Sequence, residues 1–205
     1  MTTTVVLASR NPGKVEELRR ILTSVAPDLT VLGSDAFADL PDIPETGETF
    51  AENAAIKARA VCRHTGLIAI ADDSGLTVDA LNGMPGVLSA RWSGRHGDDE
   101  TNLRLVLDQM SDVPDDRRGA AFQCAAAACR PVDGGRPALE IREGEVRGHL
   151  IREPRGENGF GYDPVFVPVG HRVTTAEMSP AEKDAISHRG KALRSLAEVI
   201  TPWLT

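Results

Sequence analysis

One short stretch limits the folds open to this chain: Ile68-Ala69-Ile70-Ala71-Asp72-Asp73-Ser74-Gly75-Leu76. An apolar, partly β-branched run of this length reads as a buried strand. It breaks into two adjacent carboxylates, a hydroxyl and a glycine. Asp72 and Asp73 are therefore expected at or just past the strand's end, with Gly75 turning the backbone. Ends of sheet strands are where open α/β folds place ligands. Two neighbouring carboxylates repel unless a proton or a cation is shared. A hard, oxygen-liganded cation such as Mg²⁺ meets that requirement. The competing reading is a solvated turn, because Asp, Ser and Gly all favour turns.

The chain has 205 residues. That suffices for one domain with a sizeable core, or for two small lobes sharing a sheet. No repeat, low-complexity segment or clear linker divides it, so 1–205 reads as a single domain. The formal net charge of −7 argues against sequence-independent binding to DNA or RNA, which depends on neutralising phosphates. No apolar run approaches the roughly 20 residues that span a bilayer. Met1 to Leu7 lacks a basic start and leads straight into a strand-like run, so no secretory signal is expected. Cys62, Cys124 and Cys129 are odd in number and form no CxxC pair. They read as reduced thiols of a cytoplasmic protein with no zinc site. On one strand, Cys124 and Cys129 would point to opposite faces.

Thr3 to Ala8 reads as a first buried strand, and Val15, Leu18, Ile21 and Leu22 carry helical spacing. Between them lies Ser9-Arg10-Asn11-Pro12-Gly13-Lys14. A helix start presents backbone N–H groups to an anion, and Lys14, Ser9 and Asn11 add charge and donors. The Walker spacing is missing, so an ordinary strand-to-helix turn competes with a phosphate-binding loop. Leu29 to Leu32 reads as a second strand. A long acidic segment from Gly33 to Glu48 follows, containing Glu45-Thr46-Gly47-Glu48. Thr49 and Glu52 have the spacing of a capping box, opening a helix that runs to about Arg63 with Gly66 closing it. Phe50, Ala54, Ala58 and Val61 form its apolar stripe. Asn53 and Lys57 share another face, directed either to solvent, the commoner case, or to the carboxylates and a phosphate.

Leu76 to Leu81 reads as a further strand or a short helix, before the turn cluster Asn82 to Gly86. Arg91 is either a ligand or a surface ion-pair partner. Asp98 or Asp99 caps a helix through Leu103, Leu105, Val106 and Met110. Ala120 to Cys129 reads as a central strand, although alanines suit a helix equally. Leu139 to Ile151 suggests two antiparallel strands with a tight turn at Gly144-Glu145. In Gly159-Phe160-Gly161-Tyr162-Asp163 an aromatic ring is flanked by glycines. It is either a stacking platform for a base or a packed turn at a sheet edge. Finally, Lys183, His188 and Arg189 concentrate positive charge and donors in a loop or broken helix that enters an amphipathic C-terminal helix. Arg189 is suited to reading a carbonyl oxygen on a base.

Taken together, Ser9 to Lys14, Glu45 to Gly47 with Glu52 to Ala58, Ala71 to Leu76, and Phe160 to Asp163 with Ser187 to Gly190 resemble the inosine triphosphate pyrophosphatase family. The likeness is to its bacterial branch, acting on dITP and XTP, and covers nearly the whole chain. It implies an α/β fold: a long, mixed, twisted β-sheet flanked by helices, with two lobes around a central active-site cleft. It also implies a homodimer, Mg²⁺ dependence, and hydrolysis of non-standard purine nucleoside triphosphates to monophosphate and pyrophosphate. Carried over residue by residue, Asp73 is the general base and a metal ligand, with Glu45 and Asp72 completing the acidic metal site. Ser9, Arg10, Asn11, Pro12, Gly13, Lys14, Asn53 and Lys57 surround the triphosphate, and Ser74 contacts substrate. Phe160 stacks on the purine beside Gly161, Tyr162 and Asp163. Lys183, His188 and Arg189 contact the 6-oxo purine and nearby phosphate. Arg10 and Pro12 depart from the small or variable residues expected in the first loop.

The chemistry of the residues agrees. Phosphoryl transfer is mostly positioning plus charge neutralisation, and a metal-linked carboxylate can deprotonate water. A donor aimed at a 6-oxo group is left unpaired by adenine's amino group, which discriminates strongly. Two other readings stand beside this one: a related pyrophosphatase for modified pyrimidine nucleotides, and a nucleotide- or RNA-binding module without chemistry.

Overall fold

The computed structural model describes residues 3–9, 15–16, 19–20, 22–23, 27–132 and 134–204. Its sheet has six strands: β1 (Thr4–Leu7), β2 (Thr30–Gly33), β3 (Ile68–Val78), β4 (Gly119–Arg130), β5 (Ala138–Leu150) and β6 (Phe166–Pro168), in the order β2-β1-β3-β4-β5-β6. β1 runs parallel to both β2 and β3, whereas β5 and β6 are antiparallel. Helices α1 (Phe50–Thr65), α2 (Asp99–Gln109), α3 (Pro180–Ile186) and α4 (His188–Ile200) complete the main elements. The α/β class with a mixed sheet is the expected one. The chain divides into two compact units, 1–73 with 124–144 and 189–205, and 74–123 with 145–188. Among the described residues no helix is long and apolar enough to cross a membrane.

In the first unit, alternation along the strands sorts side chains onto two faces. Ile68 and Ile70 of β3, with Cys124, Ala126 and Ala128 of β4, pack against Leu193, Leu196 and Ile200 of α4. Ala69 and Ala71, with Ala125, Ala127 and Cys129, pack against Ala54, Ala58 and Val61 of α1. β4 is thus buried on both faces, which is why it reads as a continuous small apolar run rather than an alternating one. Cys124 and Cys129 do fall on opposite faces, and all three cysteines are buried thiols. Burial pushes the Cys62 thiol up to about 12, helped by its hydrogen bond with Cys129.

α1 forms as its sequence dictates. Thr49 Oγ1 accepts from Glu52 N, and Glu52 Oε2 accepts from the N–H of Thr49. Gly66 ends the helix at φ +68°, a left-handed conformation that costs glycine little. The C-terminal break is also as read: Ser187 is extended between α3 and α4. In the second unit, Asp98 rather than Asp99 caps α2, accepting from Thr101 N. The core there joins Leu103, Val106 and Met110 to Leu76, Val78, Phe122 and Phe166. Phe122 and Phe166 meet edge-on, with ring centroids 4.6 Å apart.

Three expectations are corrected. β3 does not stop at the Asp pair but runs through to Val78. Gly75 makes no turn. It is glycine because a Cβ there would lie 2.3 Å from Ser89 Oγ and 2.6 Å from the Gly86 carbonyl oxygen. Leu76 to Val78 therefore continues β3, and only Asp79–Leu81 turns helical. Nor is there a hairpin at Gly144-Glu145, because Ala138–Leu150 is one strand. The exposed positions 143, 145, 147 and 149 keep the same parity across that dipeptide, so the two-residue period is never interrupted.

Candidate active site

Because β3 continues, Asp72 and Asp73 lie on opposite faces of one strand. Both are buried, at 3% and 7% exposure. Their place in the sheet is set by β1, which ends opposite Ile70 and leaves the Asp pair beyond its last ladder position. Asp72 continues the face of Ile68 and Ile70, where α4 lies. There Arg189 Nε donates to its Oδ2 at 3.1 Å. Both side chains are almost fully buried, at 4% and 2% exposure. Asp73 continues the face of Ala69 and Ala71, where α1 lies. Asn53 Nδ2 donates to Asp73 Oδ2 at 3.1 Å, and Lys57 Nζ to Oδ1 at 3.3 Å. The repulsion anticipated between neighbouring carboxylates is thus met by two cations, one on each face.

Lys57 and Asn53 do not form a solvated polar face. Asn53 is fully buried, and its Oδ1 accepts from Gly47 N at 2.8 Å. One amide therefore ties the Glu45-bearing segment to Asp73. Gly47 must lack a side chain, since a Cβ would come within 2.8 Å of Asn53 Oδ1. Lys57 Nζ also donates to Glu45 Oε1 at 2.8 Å, so one ammonium bridges Glu45 and Asp73. Burial works against that charge, but Asp73, Asp72 and Glu45 together outweigh it and hold the Lys57 pKa above its ordinary value. Lys57 stays protonated throughout the neutral range.

Among the described residues, no three His, Cys, Asp or Glu side chains form a ready-made metal cage. Mg²⁺ does not need one, because it usually takes one or two carboxylates plus phosphate oxygens and water. Glu45 and Asp73 fit that requirement. Their oxygens already converge on a single cation, the Lys57 ammonium.

The second unit holds the aromatic motif. Phe160 is 36% exposed, while Tyr162 and Asp163 are buried. Tyr162 OH donates to the Ser89 carbonyl at 2.9 Å, and burial raises its pKa. Asp163 is a hub: its Oδ2 accepts from Phe160 N at 2.8 Å and from Lys183 Nζ at 2.6 Å. Its Oδ1 accepts from Thr175 Oγ1 at 2.8 Å. Lys183 Nζ lies 5.2 Å from the Phe160 ring centroid. His188 is buried and stacks on Phe122, with centroids 5.0 Å apart and planes 11° from parallel.

The structure thus brings Glu45, Asn53, Lys57, Asp73, Asp72 and Arg189 together in the first unit, and Phe160, Asp163 and Lys183 in the second. Ser9 and Ser74 are half-buried, the Ser9 carbonyl accepting from Ser34 Oγ at 2.9 Å. Arg10, Asn11, Pro12, Gly13 and Lys14 lie outside the described residues. The sequence offers Thr175 no role and Asp99 only that of a possible helix cap. Neither contact carries a short-range signal, and both are recognisable only through the partners the fold gives them.

Comparison with known proteins gives concordant results. The Ham1 family profile matches residues 5–199. A dITP/XTP pyrophosphatase of Streptomyces avermitilis is 56% identical over 202 residues, 98% of this chain and 99% of that protein. One of Mycobacterium tuberculosis is 55% identical over 206 residues, covering 100% and 98%. The crystal structure of a dITP/XTP pyrophosphatase from Mycobacterium abscessus aligns with a TM-score of 0.75 at 52% identity, covering 97% of this chain and 99% of that one. A HAM1 protein from Coxiella burnetii aligns with a TM-score of 0.85 at 44% identity, covering 98% and 99%.

Proposed function

The chain belongs to the Ham1 family, and from that premise we propose that it is a nucleoside triphosphate pyrophosphohydrolase. It acts on the non-standard purine nucleotides dITP, ITP and XTP and releases the monophosphate and pyrophosphate. Such hydrolysis keeps these bases out of DNA and RNA. The observation that carries this reading is the convergence of Glu45 and Asp73 on one cation position, beside a buried amide that fixes Asp73.

In this mechanism Asp73 accepts the proton of the attacking water as the α–β phosphoanhydride bond breaks and pyrophosphate leaves. Glu45 and Asp73 would hold Mg²⁺. When bound, the ion neutralises charge developing on the phosphate oxygens. Lys57 turns its ammonium to the phosphates, as a lysine on a flexible stem can. Ser9 to Lys14 and Ser74 supply further phosphate contacts. Asn53 acts by orienting Asp73, since its amide is fully buried. Asp72 has its charge partner in Arg189 on the opposite face, so its part is to hold that arginine rather than to bind metal. Phe160 stacks on the purine. Lys183, His188 and Arg189 provide donors and charge for the 6-oxo group and neighbouring phosphate. The working form is a cytoplasmic homodimer, without polymeric nucleic acid or membrane as partner.

A substrate panel tests this assignment. The kcat/KM values for dITP and XTP are expected to exceed those for dATP and dUTP by roughly 10²-fold or more, as a donor left unpaired by the wrong base requires. A preference for dUTP would point instead to the pyrimidine-directed reading.

A further inference from the structure

We propose that Asp99, which lies outside every motif named above, is a positioning residue for purine recognition: with Asp163 it clamps the Phe160–Gly161 backbone and so fixes the ring on which the base stacks. This rests on the stacking role given to Phe160 in the proposed function.

The clamp has two jaws. Phe160 N donates to Asp163 Oδ2 at 2.8 Å, and the next N–H, that of Gly161, donates to Asp99 Oδ2 at 2.9 Å. Successive N–H groups can turn towards carboxylates because the glycines on either side of Phe160 take left-handed backbone angles, φ +80° at Gly159 and +62° at Gly161. Gly159 has no latitude, since a Cβ there would lie 2.2 Å from Asp163 Oδ2.

Asp99 is available because its neighbour takes the other task. Asp98 caps α2, leaving Asp99 in the first turn with its carboxylate directed to the loop. A carboxylate oxygen is a strong acceptor for a backbone N–H. Asp163 also grips Lys183, whose ammonium stands over the Phe160 ring. Backbone and ring are therefore held together. Asp99 secures the next peptide along, that of Gly161. A cavity of about 640 Å³ beside this loop is bordered by Asp99, Leu103, Arg104, Asn158 and Phe160. Without the Asp99 hydrogen bond, the loop has room to shift into it.

The test compares a ligand that carries a base with one that does not. In Asp99→Ala the KM for dITP is expected to rise about five-fold, the loss of one charge-assisted hydrogen bond, with kcat within about two-fold. The inhibition constant of inorganic tripolyphosphate, which has no base, is expected to stay unchanged. Asp99→Asn keeps a neutral acceptor oxygen for Gly161 N–H and is expected to bring the KM back to within about two-fold of wild type. Equal weakening of dITP and tripolyphosphate, or a wild-type KM in Asp99→Ala, overturns the proposal. Phe160→Ala separates the two levels. If it raises KM while Asp99→Ala does not, only the clamp fails. If it leaves KM unchanged, the stacking reading fails and the clamp with it.

Discussion

Asp73→Asn is expected to abolish turnover while nucleotide still binds. Asparagine has almost the same shape but cannot take a proton from water, and removing a general base costs about 10²–10⁴-fold by itself. Loss of one carboxylate from the Mg²⁺ position adds to this. The fold is expected to survive. The neutral side chain can still accept from Asn53 Nδ2, and Lys57 retains Glu45 as a partner at 2.8 Å. Rapid-quench kinetics with dITP would measure the loss. Equilibrium binding of dITP without added metal would show affinity within a few-fold of wild type. Substantial residual turnover in Asp73→Asn would remove Asp73 from the base role.

The second large effect is expected from Asn53→Asp, a change of one atom. The donor facing Asp73 becomes an oxygen, 3.1 Å from Asp73 Oδ2 in the native geometry, inside a fully buried site. Two carboxylates cannot both stay ionised there without another cation. The opposite contact, Gly47 N–H to the retained oxygen, is preserved. The cost is that of an uncompensated buried charge, about 3 kcal/mol, or roughly 6–12 °C in melting temperature for a chain of this size. The sign of its pH dependence is fixed. The new carboxyl has its pKa raised in the folded state, so the deficit is full well above neutrality. It closes as the pH falls towards the unfolded carboxylate range, where the protonated group donates as the amide did. Activity at neutral pH is expected to fall with stability, because Asp73 loses its orientation. Thermal denaturation from pH 5 to 8 would check this. A deficit independent of pH would contradict the electrostatic cause.

Both effects depend on a fact that the sequence concealed. Asp-Asp-Ser-Gly carries the chemistry of a turn, and local preference sends the chain round there. Tertiary context wins instead. Gly75 lies hard against Ser89 and the Gly86 carbonyl, β3 runs on through it to Val78, and Asp72 and Asp73 fall on opposite faces. Once the strand is known to continue, parity alone assigns Arg189 to one carboxylate and α1 to the other. By contrast, α1 was legible to within two residues, because a capping box and a left-handed glycine are local signals. The four-residue spacing of Asn53 and Lys57 was legible too, although not the face they occupy. β5 was misread because a Gly-Glu pair resembles a hairpin tip, while the unbroken two-residue alternation around it was the stronger signal. Asp99 is legible only as a possible helix cap, and its contact with the Phe160 loop is not, since that partner lies 62 positions along the chain.

The most direct measurement of the central claim is the product released by the purified protein from dITP and XTP, with Mg²⁺ and with excess chelator. Monophosphate and pyrophosphate are expected in equal amounts with Mg²⁺, and almost none when the metal is removed. Orthophosphate with the nucleoside diphosphate, or pyrophosphate release unchanged by chelation, would contradict that claim.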